Sequence, residues 1–136
     1  MSTATSLITG VDFVSVPTQD LTAAIEFYEN VLGLERSKMW QRPGSEPMGA
    51  EFETGTVTIA LIACAQLGIP FAPNKVPIAL RVDDVEAARA ALESRGVTFL
   101  ADTIDSGVCH QALFTDPDGN SLDLHHRYAP PGETPA

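Results

Sequence analysis

The stretch DPDGNSLDLHH, residues 116–126, gathers Asp123, His125 and His126 behind a tight acidic turn. Carboxylate and imidazole are the donor types a divalent ion takes, and on a strand residues 123 and 125 share one face. The same two groups can also move protons as an acid/base pair. As i,i+2 neighbours they point in parallel and need not touch. His126 has the opposite parity and reads as a strand-end residue, and His110 falls on the same side as His126; both read as structural. Glu51, in GAEFE, is a second candidate base, provided apolar neighbours such as Phe13 and Leu113 desolvate it and raise its pKa. Otherwise it is a solvated carboxylate on an acidic chain.

The elements that must position these groups follow from pattern. GAEFETGTVTIALI (49–62) reads as a hairpin about Thr54 and Gly55, pairing Glu53 with Thr56, Glu51 with Thr58 and Gly49 with Ala60. That register puts Phe52, Val57, Ile59 and Leu61 on an apolar face and Glu51, Glu53, Thr56 and Thr58 on an open one. In VCHQALFTDPDGNSLDLHH (108–126) the acidic turn sets Leu113 opposite Asp123 and Gln111 opposite His125. Ala112, Phe114, Leu122 and Leu124 then face a helix, while Cys109, Gln111, Leu113, Asp123 and His125 are open.

The chain also repeats itself. VSVPTQDLTAAIEFYENVLGLE (14–35) and IALRVDDVEAARAALESRGVTF (78–99) each run strand, Asp, amphipathic stretch and Gly, and Asp20 superposes on Asp84 at an offset of 64 residues. The first helix is expected at about 20–32, capped by Thr18 or Asp20 and stopped at Gly33. The second is expected at about 84–95, capped by Asp83 with Glu86 at capping-box spacing and stopped at Gly96. LGIPFAPNKVP (67–77) is the Pro-punctuated connection between the halves. This predicts an α+β fold of one domain over residues 1–129, with module one at about 8–64 and module two at about 76–128. The Pro-rich tail 130–136 is expected to be disordered.

Composition excludes several roles. The chain has 136 residues, 44% of them hydrophobic, enough for one core and too few for two. Eight basic against eighteen acidic residues give a net charge of −10, which repels nucleic acid and anionic lipid. The longest apolar run, IALIAC (59–64), is far short of the roughly 20 residues a membrane helix needs. Two separated cysteines and an N-terminus without a signal pattern point to a cytoplasmic protein with reduced thiols.

Two strand–helix–three-strand modules, the AIEFYENVLGLE stretch (24–35) and the FTDPDGNSLDL ending (114–124) resemble the vicinal oxygen chelate superfamily, the group of glyoxalase I, extradiol dioxygenases and bleomycin-binding proteins. The resemblance covers roughly residues 10–127. It implies two βαβββ modules with curved mixed sheets enclosing a cavity, and a homodimer that completes the cavity across a two-fold axis. The family's metal positions fall on Phe13, Pro77, Ala60 and Asp123, so only one of them is a ligand type and the expectation is no metal and no cofactor.

The expected cavity is lined by Phe13, Ser15, Trp40, Thr58, Ala60, Arg81, Cys109, Gln111 and Leu113, with Met39 and Met48 beside them. Trp40 is either a rim or core aromatic or a platform for a flat ligand. Arg81 either receives an anionic group or pairs with Asp83 or Glu86. Cys109 has no basic neighbour in sequence to activate it. The resulting expectation is metal-independent sequestration of a largely apolar or aromatic small molecule. The alternative is a metal-free lyase or isomerase with Glu51, or Asp123 with His125, as its base.

Overall fold

The computed structural model describes residues 6–130; the expected disorder of the tail falls almost wholly on residues 131–136, outside the described ones. The first module runs β1 (Phe13–Thr18), α1 (Leu21–Glu26), a π-helical turn (Phe27–Val31), β2 (Glu35–Trp40), β3 (Gly49–Glu53) and β4 (Thr58–Ala63). A short helix, α2 (Cys64–Leu67), opens the connection. The second module runs β5 (Ile78–Arg81), α3 (Val85–Ser94), β6 (Ile104–Asp105), β7 (Cys109–Thr115) and β8 (Ser121–Arg127).

Each module makes one four-stranded mixed sheet, ordered β1-β4-β3-β2 and β5-β8-β7-β6, with its first strand parallel to its last. The internal repeat is thus a repeat of topology. Asp20 and Asp84 are both N-caps, their carboxylates accepting from the amides of Ala23 and Ala87 at 3.1 Å. The cap of the second helix is therefore Asp84 and not Asp83.

The first helix does not continue as one α-helix to residue 32. The amide of Leu32 reaches back five residues to the carbonyl of Phe27, at 2.9 Å. Two consecutive aromatics there face different sheets: Tyr28 packs on Phe52 of β3, with centroids 6.0 Å apart, and Phe27 on Phe114 of β7 at 6.5 Å. Both sheets so share one core, in which Val16, Phe52, Ile59 and Leu61 meet Leu92, Phe114, Leu122 and Leu124.

The hairpin of the first module is two residues out from its expected register. Glu51 pairs with Ala60, Phe52 with Ile59 and Gly49 with Ile62. A two-residue type I′ turn needs positive φ at both central residues, which β-branched Thr54 resists; only Gly55 has it, at +91°. The chain instead makes a wider loop in which the Thr54 hydroxyl donates to the Val57 carbonyl at 2.7 Å and accepts from the Thr56 amide at 3.2 Å. A shift of two keeps every side chain on its own face, so the division into core and open faces stands.

The second hairpin has the expected register, Leu113 opposite Asp123 and Gln111 opposite His125. Its DPDGN turn joins the modules. Buried Asp116 accepts from the Tyr28 hydroxyl and the Asn120 side-chain amide, each at 2.8 Å, while Asn120 also donates to the Pro17 carbonyl at 2.8 Å. Burial and the Asp116 charge hold the Tyr28 hydroxyl well above the usual phenol range.

Candidate functional site

The open faces of the two sheets carry the predicted residues. On the first sheet the pairings Phe13↔Thr58, Ser15↔Ala60, Glu51↔Ala60 and Trp40↔Gly49 place Phe13, Ser15, Trp40, Glu51, Thr58 and Ala60 on one face. A register shift at Ser37 keeps Lys38 opposite Glu51 and Trp40 opposite Gly49. Phe13 and Trp40 meet edge to face, with centroids 6.5 Å apart and planes at 80°. The Trp40 indole N–H donates to the Glu51 carboxylate at 2.6 Å, which fixes the ring on the strand. Beside it Glu53 accepts from the hydroxyls of Ser37 and Thr58, which hold its carboxyl below the usual range.

Gly49 is the site residue that the pattern of residue types missed. A Cβ there would collide with the Leu61 carbonyl oxygen and sit 3.1 Å from Cε3 of Trp40. The absent side chain lets the indole lie against β3. Met39, by contrast, pairs with Ala50 and packs against the core, so it does not line the open face.

On the second sheet the open face holds Cys109, Gln111 and Leu113 of β7 beside Asp123 and His125 of β8. Asp123 is only 4% exposed, and its Oδ1 has no hydrogen-bond partner. Burial raises the pKa of this carboxyl; the His125 charge pulls the other way and does not cancel it. A buried carboxylate oxygen without a protein partner is free to accept from a water or a ligand donor. His110 and His126 lie on the opposite parity, His110 within 3.4 Å of Asp105 and with its ring tilted at 41° to that of Tyr128, centroids 4.8 Å apart.

The residues of the two open faces lie outside the shared core cluster, although Ala60, Cys109 and Asp123 are themselves buried. Among the described residues, no hydrogen bond, ion pair or ring contact joins Phe13, Trp40 or Glu51 to Leu113, Asp123 or His125. The candidate residues thus form two sets, or half-sites, one on each sheet. Arg81 pairs with His125, which puts it on the open face of the second sheet, and on edge strand β5 it also lines a cavity between the modules. It makes no ion pair with Asp83 or Glu86.

The donor set does not fit a divalent ion. Phe13, Pro77 and Ala60 have no side-chain donor, and no three His, Cys, Asp or Glu side chains cluster among the described residues.

Two βαβββ modules, each with one four-stranded mixed sheet, define the fold class. Residues 10–124 match the family model of the Glyoxalase/Bleomycin resistance protein/Dioxygenase superfamily, and the chain belongs to that family. No curated protein matches the sequence. Among solved structures, it is similar to TnmS3, an antibiotic binding protein from Streptomyces sp. CB03234, with 27% identity and a TM-score of 0.74 over 90% of this chain and 99% of that one. A glyoxalase/bleomycin resistance protein/dioxygenase from Nocardioides is 25% identical, with a TM-score of 0.71 over 95% and 91% of the two chains. Lactoylglutathione lyase from Agrobacterium tumefaciens shares the fold at 19% identity and a TM-score of 0.71, over 87% and 93%.

Proposed function

We propose that this protein is a metal-independent binding protein that sequesters a largely apolar or aromatic small molecule on its open sheet faces, acting as a homodimer. The observation that carries this is the Phe13–Trp40 pair. Two aromatic rings stand on an open face outside the core, and the indole is locked by Glu51. Phe13 is 47% exposed, although large apolar rings are normally covered. A rigid Trp edge to face with Phe offers a flat ligand a large contact area at small entropic cost. The antibiotic-binding relative supports a binding role without fixing the ligand. Thr58 and Ser15 border the platform above a fully buried Ala60, and Gln111 and Leu113, with buried Cys109, belong to the other half-site.

A second reading is favoured by Asp123, whose buried, unpartnered oxygen and raised pKa suit a general base in a metal-free lyase or isomerase. Glu51 is engaged by Trp40, which leaves Asp123, with His125 beside it, as the better placed base. One experiment separates the readings: a thermal-shift screen of flat aromatic compounds, followed by product analysis of each hit. Sequestration predicts a hit that returns unchanged, stabilising by about 2.7 kcal/mol at a hundredfold excess over Kd, with the shift abolished in Trp40→Ala. Turnover that disappears in Asp123→Asn while binding survives supports the enzyme instead.

A further inference from the structure

The two modules are related by topology, but the contacts at their two junctions differ. At the first, the free edge of β1 is closed by Asn120 and Asn74, which donate to the carbonyls of Pro17 and Ser15, and Tyr28 is tied to Asp116. At the equivalent second junction, the free edge of β5 faces the hairpin loop 54–57. Leu92 stands at the 64-residue offset from Tyr28 and has no hydroxyl, and the loop reads TGTV in place of DPDGN. With no lock to draw the parts together, a cavity of about 630 Å³ remains between the modules. That is within the size range of small-molecule sites.

The lining is apolar, with Leu32, Leu34, Val57, Ile59, Leu80 and Leu92 prominent, and its two charged members are Arg81 and Arg95. No carboxylate lines it, although the chain has eighteen acidic residues. Arg36 and Arg89 hold Glu29 and Glu93, whereas neither Arg81 nor Arg95 has an ion-pair partner among the described residues. Arg95 donates only to the Val31 carbonyl, at 2.7 Å. A guanidinium left without a carboxylate beside an apolar cavity is a receptor for an anionic head group.

We propose that this inter-module cavity is a second binding site, distinct from the Phe13–Trp40 platform, for an amphiphilic anion with a hydrocarbon body and a carboxylate head received by Arg81 and Arg95. The net charge of −10 does not veto an anion here. At physiological ionic strength, charges beyond about 8 Å are largely screened, and the charged residues lining the cavity itself are Arg81 and Arg95.

The test is titration of the full chain with dodecanoate, dodecanol and dodecyltrimethylammonium, read by displacement of anilinonaphthalene sulfonate and by calorimetry. The proposal expects dodecanoate to bind at least tenfold more tightly than the other two, and the preference to be lost in Arg81→Gln with Arg95→Gln. Both arginines are exposed, so the double variant is expected to keep its fold, verified by circular dichroism. Ala88→Trp, which fills the cavity, is expected to abolish binding of all three. Equal affinity for the three, a preference that survives loss of both arginines, or binding lost in Trp40→Ala would overturn the proposal. A dimer that dissociates in Ala88→Trp while the parent chain binds no dodecanoate assigns the cavity to a second copy and also overturns it.

Discussion

Asp123 shows how one residue's setting decides its chemistry. Its spacing from His125 suggested a metal or an acid/base pair, but the side chain is buried with an orphaned oxygen. The carboxyl's pKa is raised by burial above its ordinary value of 3.8. Between that value and the raised one, the folded chain binds more protons than the unfolded chain. Stability therefore falls as pH rises through this window, and the penalty is complete above it. Asp123→Asn removes the charge while keeping the shape. The variant is expected to melt above the parent at pH 7, with the difference closing as pH falls below the ordinary carboxylate value. Melting curves across pH check this; a variant less stable at every pH means that the Ala112 amide and the His125 charge outweigh the burial of the carboxylate.

Between the elements, the acidic turn is what holds the modules in place. DPDGN looks like a ligand-bearing loop, yet Asp116 spends its oxygens on Tyr28, Asn120 and the amide of Asp118, and Asn120 reaches the β1 edge. Removing the phenol hydroxyl in Tyr28→Phe leaves a buried carboxylate one donor short. The expected cost is about 1.5–3 kcal/mol, the range for hydrogen bonds to charged groups. A lower urea midpoint at unchanged m is the expected result, and an unchanged midpoint assigns the tie between modules to Asn120 alone. This junction marks the limit of what the sequence makes legible. The repeat, both helix caps to within a residue and the face of every strand residue in both hairpins follow from periodicity, because a strand's period of two survives even a two-residue error at Thr54 and Gly55. The π turn, the bulge at Ser37 and the role of Gly49 are not legible. Each depends on contacts between elements, such as Tyr28 with Asp116 or Gly49 under Trp40, which no local pattern encodes.

For the whole molecule, the separation of the half-sites becomes a test of assembly. The core takes up the helix-side faces of both sheets, so exposed Phe13 with half-buried Trp40 on one sheet and half-buried Leu113 beside buried Asp123 on the other lie outside it in a single chain. A two-fold homodimer can set the first half-site of one chain against the second half-site of its partner, twice per dimer. Light scattering at micromolar concentration is expected to give the mass of two chains. The arrangement makes a sharper demand on binding. Trp40→Ala and Asp123→Ala each spoil both sites of their own homodimer. Mixing the two variants under conditions that exchange subunits creates mixed dimers in which one site carries both lesions and the other carries neither. Random pairing makes half the dimers mixed, with one intact site each, so about a quarter of the parent's binding capacity should return. Recovery near that level establishes a site shared between chains. No recovery from a mixture shown to have exchanged places both halves of the site within one chain, and binding retained in full by either variant alone confines the site to a single sheet.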